Sequence, residues 1–454
     1  MKFGQRLGHS VKHMPHGQVA RLSPPLVMLS GFALLGLLGT LLLLLPMTSD
    51  IPLSWHQAVF TATSAVTVTG LTVVDTAQMS LFGQSVIPAL IQLGGIGFMT
   101  IAALIMSSLG MRMPLQQQNM IRENLHSTSF RGLLGLVRLV ILFTLTAEAL
   151  GAVLLATVWV PAYGWLQGSW ISVFHAVSAF NNAGFSILPH GLAPWVANPV
   201  VNGVMSLLFI AGGLGFVVLA ELAEWPRRRA LSLHARIILH GTLWLAVSAT
   251  VALLLLEWSN PQTLGGLDSF VARLQAAWFQ AVTPRSAGFS TIEIPARAAP
   301  ATLLIRLLMF VGAGSGSTAS GIKIGTFMVI LLVARSFLRG STQPAIFGRA
   351  IPEKTVFKAI AVALAGMLLI FVALFALTLV ETDKSFIDLA FETVSAFGTV
   401  GLSRGITAEL SVPGQLLLCV TMLLGRVGPI SLGYFITTRA KPGIQYAEGH
   451  VHIG

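Results

Sequence analysis

The chain holds one cysteine, Cys419, among 454 residues. A lone thiol closes no internal disulfide and builds no thiolate metal site, so cysteine chemistry is excluded. Charge is also scarce, at 9% of residues against 54% hydrophobic, and mean hydropathy is +0.81. A chain so composed cannot present a soluble surface and reads as an integral membrane protein. It has no H-E-x-x-H motif, no metal spacing among its 11 histidines and no pair of aspartates within apolar segments, which leaves out intramembrane hydrolysis. The longest polar stretches, the N-terminus and Ala334–Lys358, run to about 25 residues each, far short of a nucleotide-hydrolysing domain. The sequence therefore predicts neither an enzyme nor a self-powered pump.

Apolar sequence is what the chain has in abundance. A bilayer core takes about 20 apolar residues per helix. Eight segments meet that length: Leu26–Leu45, Val86–Met106, Leu133–Val158, Val204–Glu221, Ile237–Leu256, Thr302–Val333, Val356–Val380 and Gln415–Thr437. The first outruns the apolar region of a signal peptide, which predicts a retained helix. The formal net charge is +11, but its distribution speaks against nucleic acid as a partner. Basic residues gather at Lys2 to Arg21, Arg112 to Arg138, Arg227 to Arg236, Arg335 to Lys358, and Arg439 with Lys441. With eight spans, all these clusters fall on one side, while Asp50, Asp268, Asp383 and Asp388 fall on the other. The positive-inside rule then makes both termini cytoplasmic. The basic connections also suit anionic lipid head groups or an acidic partner.

One short pattern occurs four times: Thr67-Val68-Thr69-Gly70-Leu71-Thr72, Asn181-Asn182-Ala183-Gly184-Phe185-Ser186, Arg285-Ser286-Ala287-Gly288-Phe289-Ser290 and Gly398-Thr399-Val400-Gly401-Leu402-Ser403. The aligned glycines lie a little over a hundred residues apart, each between two predicted spans. Around them, Ser54–Val73, Ser169–Ile187, Asp268–Ile292 and Phe386–Ile406 are too short for another crossing and too apolar for free loops. A short helix that dips in and returns as a loop fits such a segment, provided the loop lines a cavity or is buried. The helix aims its partially negative C-terminus at the membrane interior, which favours a cation. Units that cross twice keep one orientation, so they are parallel repeats about an axis along the membrane normal. Four loops around that axis place backbone carbonyls where they replace an ion's hydration shell, and Gly permits the positive φ that turns them inward.

The predicted fold is an all-α integral membrane protein of four parallel M1–P–M2 repeats, eight transmembrane helices plus four re-entrant pore helices around a pseudo-fourfold ion pathway. A basic N-terminus (1–25) precedes repeats at 26–110, 133–225, 235–340 and 355–440, and a tail at 441–454 follows. An alternating-access carrier is the rival architecture, but it is expected to carry inverted rather than parallel repeats.

These loops resemble those of the potassium transporter superfamily that includes the TrkH and KtrB subunits and the plant HKT proteins. Phe60-Thr61-Ala62-Thr63-Ser64-Ala65, Ser178–Phe185 and Gly425-Arg426-Val427-Gly428-Pro429 are especially similar to KtrB, as is the absence of an extra N-terminal hairpin. The resemblance covers nearly the whole chain. It implies a potassium uptake subunit of the bacterial inner membrane, commonly sodium-dependent, working as a homodimer on a cytoplasmic KtrA-like ring. Potassium is then the substrate at the filter carbonyls, sodium an activator, and any nucleotide sits on the partner. The alternative is a TrkH- or HKT-like monovalent cation transporter or symporter with no Ktr-type partner.

A second feature repeats after each loop: Gly94-Gly95-Ile96-Gly97, Gly212-Gly213-Leu214-Gly215, Gly312-Ala313-Gly314-Ser315-Gly316 and Gly425-Arg426-Val427-Gly428. The interval from loop glycine to Gly95, to Ala313 and to Arg426 is identical, so Arg426 stands where sister units carry small residues. An Arg in mid-span must face a cavity or a partner. It is either a positive charge opposing cation passage or a structural tie to Glu148 or another buried acid. In the third unit, Gly312, Gly314, Ser315, Gly316, Ser317, Thr318, Ser320 and Gly321 interrupt the apolar span up to Lys323 and would make a poor helix interior. The stretch matches neither phosphate-loop spacing. It is a mobile gate beneath the loops or a helix kink; the resemblance implies the gate, with Lys323 at the position of the family's lysine.

Other polar residues admit two roles. Asp75 and Glu392, placed at the mouth and at the start of the fourth pore helix, either attract cations or cap and solvate. Arg285 is expected to point away from the axis, His175 to be packed, and Glu148 to be a functional candidate or a structural partner.

Overall fold

In the computed structural model of the chain, residues 24–97, 130–341 and 343–428 are described. The basic N-terminus, the connection bearing Arg112 and Arg122, the end of the first repeat, the last part of the final span and the 441–454 tail lie outside them. The described chain is mostly helical. Its first helices are α1 (Pro24–Leu43), α2 (Trp55–Val66) and α3 (Leu81–Gly95). Then come α4 (Phe130–Tyr163), α5 (Trp165–Phe180), α6 (Pro199–Leu214) and α7 (Phe216–Arg228). They are followed by α8 (Leu233–Glu257), α9 (Phe270–Val282), α10 (Ala299–Phe310) and α11 (Ile324–Leu338). A small hairpin of β1 (Ala345–Ile346) and β2 (Arg349–Ala350) leads to α12 (Glu353–Val380), α13 (Phe386–Gly398) and α14 (Val412–Val427).

Local sequence sets the helix starts. Ser80, Ser232, Ser269, Ser385 and Ser411 each accept a hydrogen bond from the amide three residues on, satisfying a donor the helix itself leaves free. Pro199, Pro300 and Pro413 stand in first turns, where no amide hydrogen is needed. Buried carboxylates then tie elements together. Glu257, ending α8, accepts from the Ala298 amide ahead of α10 at 2.9 Å; Glu381, after α12, accepts from the Ser411 amide ahead of α14 at 2.9 Å.

Val137–Tyr163, Leu233–Glu257 and Glu353–Val380 are each long and apolar enough to cross a membrane. On α12 the stripe Leu364, Leu368, Phe371, Phe375 and Leu379 is exposed, at helical spacing. Only an apolar surrounding accepts such a surface, so the protein is a membrane protein.

The short and long helices pack in a cycle. α3 contacts α5, α6 contacts α9, α10 contacts α13, and α14 returns to α2. The predicted span Val204–Glu221 is not one continuous helix. It bends by 102° between α6 and α7. Gly215 sits at φ +96°, and the Phe216 amide donates to the Gly316 carbonyl at 2.9 Å instead of to its own helix. A Cβ at Gly215 would overlap the Ser315 carbonyl. The break thus comes from a neighbouring segment docking into the helix, a tertiary cause that hydropathy does not record.

Candidate functional site

The four short helices α2, α5, α9 and α13 end at the four glycine loops, and the loops meet. Gly70, Gly184, Gly288 and Gly401 adopt φ of +88°, +72°, +76° and +91°. A Cβ built on Gly70 would overlap the Ala183 carbonyl oxygen, on Gly288 that of Val400, and on Gly401 that of Thr69. At Gly184 the nearest atoms would be Gly288 Cα at 3.0 Å and the Ala287 carbonyl oxygen at 3.1 Å. The carbonyl preceding each loop glycine therefore rests against the glycine of another loop, and the contacts close into a ring: first on fourth, fourth on third, third on second, second on first.

Two positions before each glycine the chain is left-handed at a residue that is not Gly: Val68 (φ 58°), Asn182 (φ 60°), Ser286 (φ 88°) and Thr399 (φ 45°). For β-branched Val68 and Thr399 that region is a true outlier, held only by surrounding structure. The holding bonds repeat. Thr69, Ala183 and Val400 donate their amides to Ser64, Ser178 and Ser395 carbonyls at 2.8, 2.7 and 2.9 Å, and Ala287 to Thr283 at 2.9 Å. The hydroxyls of Ser64 and Ser395 accept from Gly70 and Gly401 at 3.0 and 3.1 Å, while Ser178 and Thr283 donate to Phe185 and Phe289 carbonyls at 2.9 and 2.6 Å. Sequence reasoning passed over these hydroxyls, although a Ser or Thr five or six residues before each glycine was visible.

The residue three before each glycine differs between loops. Thr67 bonds Thr63 and Thr69; Asn181 reaches Gln92 and Glu148; Gly398 has no side chain. Arg285 is buried and lines a small pocket of about 10 Å³ with Asn182, Phe209, Ile210 and Thr242.

The Gly/Ser stretch leaves the helical path altogether. α10 stops at Phe310, Val311 pairs with Ile322, and α11 begins at Ile324, so the excursion is a closed loop rather than a bend. Gly314 donates to Gly213 at 2.7 Å, and Ser317 to Gly314 at 2.7 Å. Gly316 and Gly321 take φ of +67° and +71°, and Gly312 packs against the Ser320 carbonyl. Thr318 and Ser320 are buried against the ring. Asn182 Nδ2 donates to Thr318 Oγ1 at 2.7 Å, and the Ser320 amide donates to Ser286 Oγ at 3.2 Å. Ser286 Oγ in turn donates to the Gly398 carbonyl at 2.9 Å. Lys323 Nζ donates to the Ala319 carbonyl at 2.6 Å.

Arg426 grips the same segment. One guanidinium nitrogen donates to the Thr318 carbonyl and, at 3.4 Å, to Ser320 Oγ; the other donates to the Gly94 carbonyl at 2.7 Å. The Phe32 ring lies 5.9 Å away. Glu148 is not its partner, and among the described residues Arg426 forms no ion pair. It spans the cycle, joining α14 and α3 to the segment between α10 and α11.

The remaining polar residues are structural in their contacts. Asp75 caps a short turn by accepting from the Ala77 amide at 3.0 Å. Glu392 does not open its helix; it lies midway along α13, fully buried, accepting from Ser403, Thr407 and the Arg404 amide at 2.6, 2.7 and 2.9 Å. It holds the returning chain and faces no mouth. His175 is fully buried between the Ile171 carbonyl and Ser186 Oγ.

Residues 30–442 match the family described as TrkH, cation transport protein. The chain is 45% identical to the Ktr system potassium uptake protein B of Bacillus subtilis (strain 168), covering 96% of this chain and 97% of that one. It is 39% identical to the protein of the same name from Vibrio alginolyticus over 100% of both chains. The potassium/sodium uptake protein NtpJ of Enterococcus hirae is 36% identical, with 96% and 98% covered. In fold, the chain superposes on the potassium transporter TrkH from Vibrio parahaemolyticus with a TM-score of 0.73, at 19% identity, over 93% of this chain and 86% of that one. The chain belongs to the TrkH family of cation transport proteins, which are transporters rather than enzymes.

Proposed function

We propose that this chain is the potassium-conducting subunit of a Ktr-type uptake system, with the ion passing along the axis of the glycine ring. The closed ring of loop carbonyls and glycines is the observation that carries this reading. Thr69, Ala183, Ala287 and Val400 each bring a carbonyl oxygen to the ring of loop glycines, and the helix C-termini beside them favour a cation. The cycle of helix contacts supports four parallel M1–P–M2 repeats, eight spans with four re-entrant helices, in the intervals 26–110, 133–225, 235–340 and 355–440. The segment Gly312–Gly321, with Lys323 and Arg426, is the gate: it lies against the ring and is tied by hydrogen bonds to several elements.

The relatives' names support the Ktr assignment. On this reading the chain works as a homodimer in the bacterial inner membrane, both termini cytoplasmic, on a KtrA-like ring that alone carries nucleotide. Sodium acts as an activator; the likeness to NtpJ, named for both ions, favours a second reading in which sodium is also carried. Uptake in a potassium-uptake-deficient cell at several sodium levels tests the assignment. Wild type should restore growth on low potassium, and Gly401→Ser should lose discrimination of potassium from sodium more than total transport. Unchanged discrimination would remove the ring from the pathway.

A further inference from the structure

Glu148 lies midway along α4, 6% exposed, with no place in the pathway or gate described above. Both its oxygens are engaged by amides: Oε1 accepts from Asn181 Nδ2 at 2.9 Å and Oε2 from Gln92 Nε2 at 3.1 Å. Asn181 Nδ2 also donates to Gln92 Oε1 at 2.8 Å, so the three side chains close a triangle. Asn181 is fully buried and immediately precedes left-handed Asn182, whose neighbour Ala183 supplies a ring carbonyl. Gly95 leaves the space the Asn181 amide fills; a Cβ there would overlap Asn181 Oδ1.

Such placement is peculiar to the second loop. At the matching position Thr67 bonds only within its own loop and helix, and Gly398 has no side chain. A left-handed non-glycine residue keeps its conformation only when its surroundings fix it. We propose that Glu148 is a positioning residue for ion discrimination, fixing the second-loop carbonyl of Ala183 through Asn181. The inference rests on the pathway reading. Without Glu148 the Asn181 amide keeps only weaker acceptors, the loop gains freedom, and a carbonyl ring that yields discriminates less between potassium and the smaller sodium ion.

The test is potassium-over-sodium selectivity in liposomes, normalised to inserted protein, for Glu148→Gln, Glu148→Asp and Glu148→Ala beside Gly401→Ser. Gln keeps an acceptor at the same reach and should retain selectivity. Asp, one carbon shorter, and Ala should each lower it, Ala by about fivefold, the worth of one buried hydrogen bond. Selectivity unchanged in both Asp and Ala variants, with Gly401→Ser still defective, overturns this inference and spares the pathway. If Gly401→Ser is also unchanged, the pathway reading itself fails. Should Ala not insert, Asn181→Ala reads the same link and should show the same loss.

Discussion

The carbonyl oxygen of Thr69, in the first glycine loop, lies against the Cα of Gly401, in the last. Residues more than three hundred positions apart thus complete a ring begun by neighbours in sequence. The contact requires glycine twice over, once for the positive φ and once because a side chain would occupy the space of a backbone oxygen.

The ring gives the glycines an order. A Cβ at Gly70, Gly288 or Gly401 meets a carbonyl oxygen that cannot swing aside, whereas at Gly184 its nearest neighbours stand 3.0 Å away. Alanine at Gly184 should therefore be the mildest of the four replacements in selectivity and in thermal stability of the purified protein. Equal losses at all four sites would mean that positive φ alone, and not the loop contact, sets the requirement.

Arg426 contributes a charge with carbonyls and a hydroxyl around it and, among the described residues, no acid paired with it. For a potassium ion about 6 Å away and an effective dielectric near 20, the repulsion would be roughly 3 kcal/mol, enough to slow passage by about a hundredfold. Arg426→Ala should raise flux per inserted molecule and loosen dependence on a regulatory partner, and Arg426→Lys should keep most of the barrier. If both variants lower the amount of folded protein while flux per molecule stays level, the residue is a tie and not a barrier.

The Gly/Ser loop is pinned through Gly314, Gly316, Thr318 and Ser320 to the break in α6–α7, to two glycine loops and to Arg426. Deleting Gly314–Ala319 should raise cation flux in liposomes. Gly215→Ala, which pushes a methyl group at the Ser315 carbonyl, should raise it in the same direction by a smaller factor. A deletion variant that inserts normally and conducts no faster assigns the loop a passive role.

Much of this was legible in the sequence because glycine leaves a periodic trace wherever backbone approaches backbone. The four loop glycines and the repeated Gly94, Gly212 and Gly425, which pack on the Val66, Phe180 and Phe397 carbonyls, are of that kind. The interruption at Gly312–Gly321 was legible for the converse reason, since such residues resist a helix. What escaped depends on distant partners. Val68 and Thr399 are left-handed against their own preference, the helix breaks at Gly215 because Gly316 docks there, and Asn181 finds Glu148 and Gln92 on other helices. Glu392 was misplaced to a helix start because the helix already begins at Phe386, capped by Ser385, and what Glu392 holds, Ser403 and Thr407, lies on the returning loop.

The most direct measurement is the position of a heavier potassium substitute in crystals of the protein. Grown in rubidium or thallium salts, they should show an anomalous peak on the ring axis, within coordination distance of the Thr69, Ala183, Ala287 and Val400 carbonyls. The peak should fade when sodium replaces the substitute. A peak bound elsewhere, with none on the axis at saturating ion, would contradict the claim that the four glycine loops form the ion site.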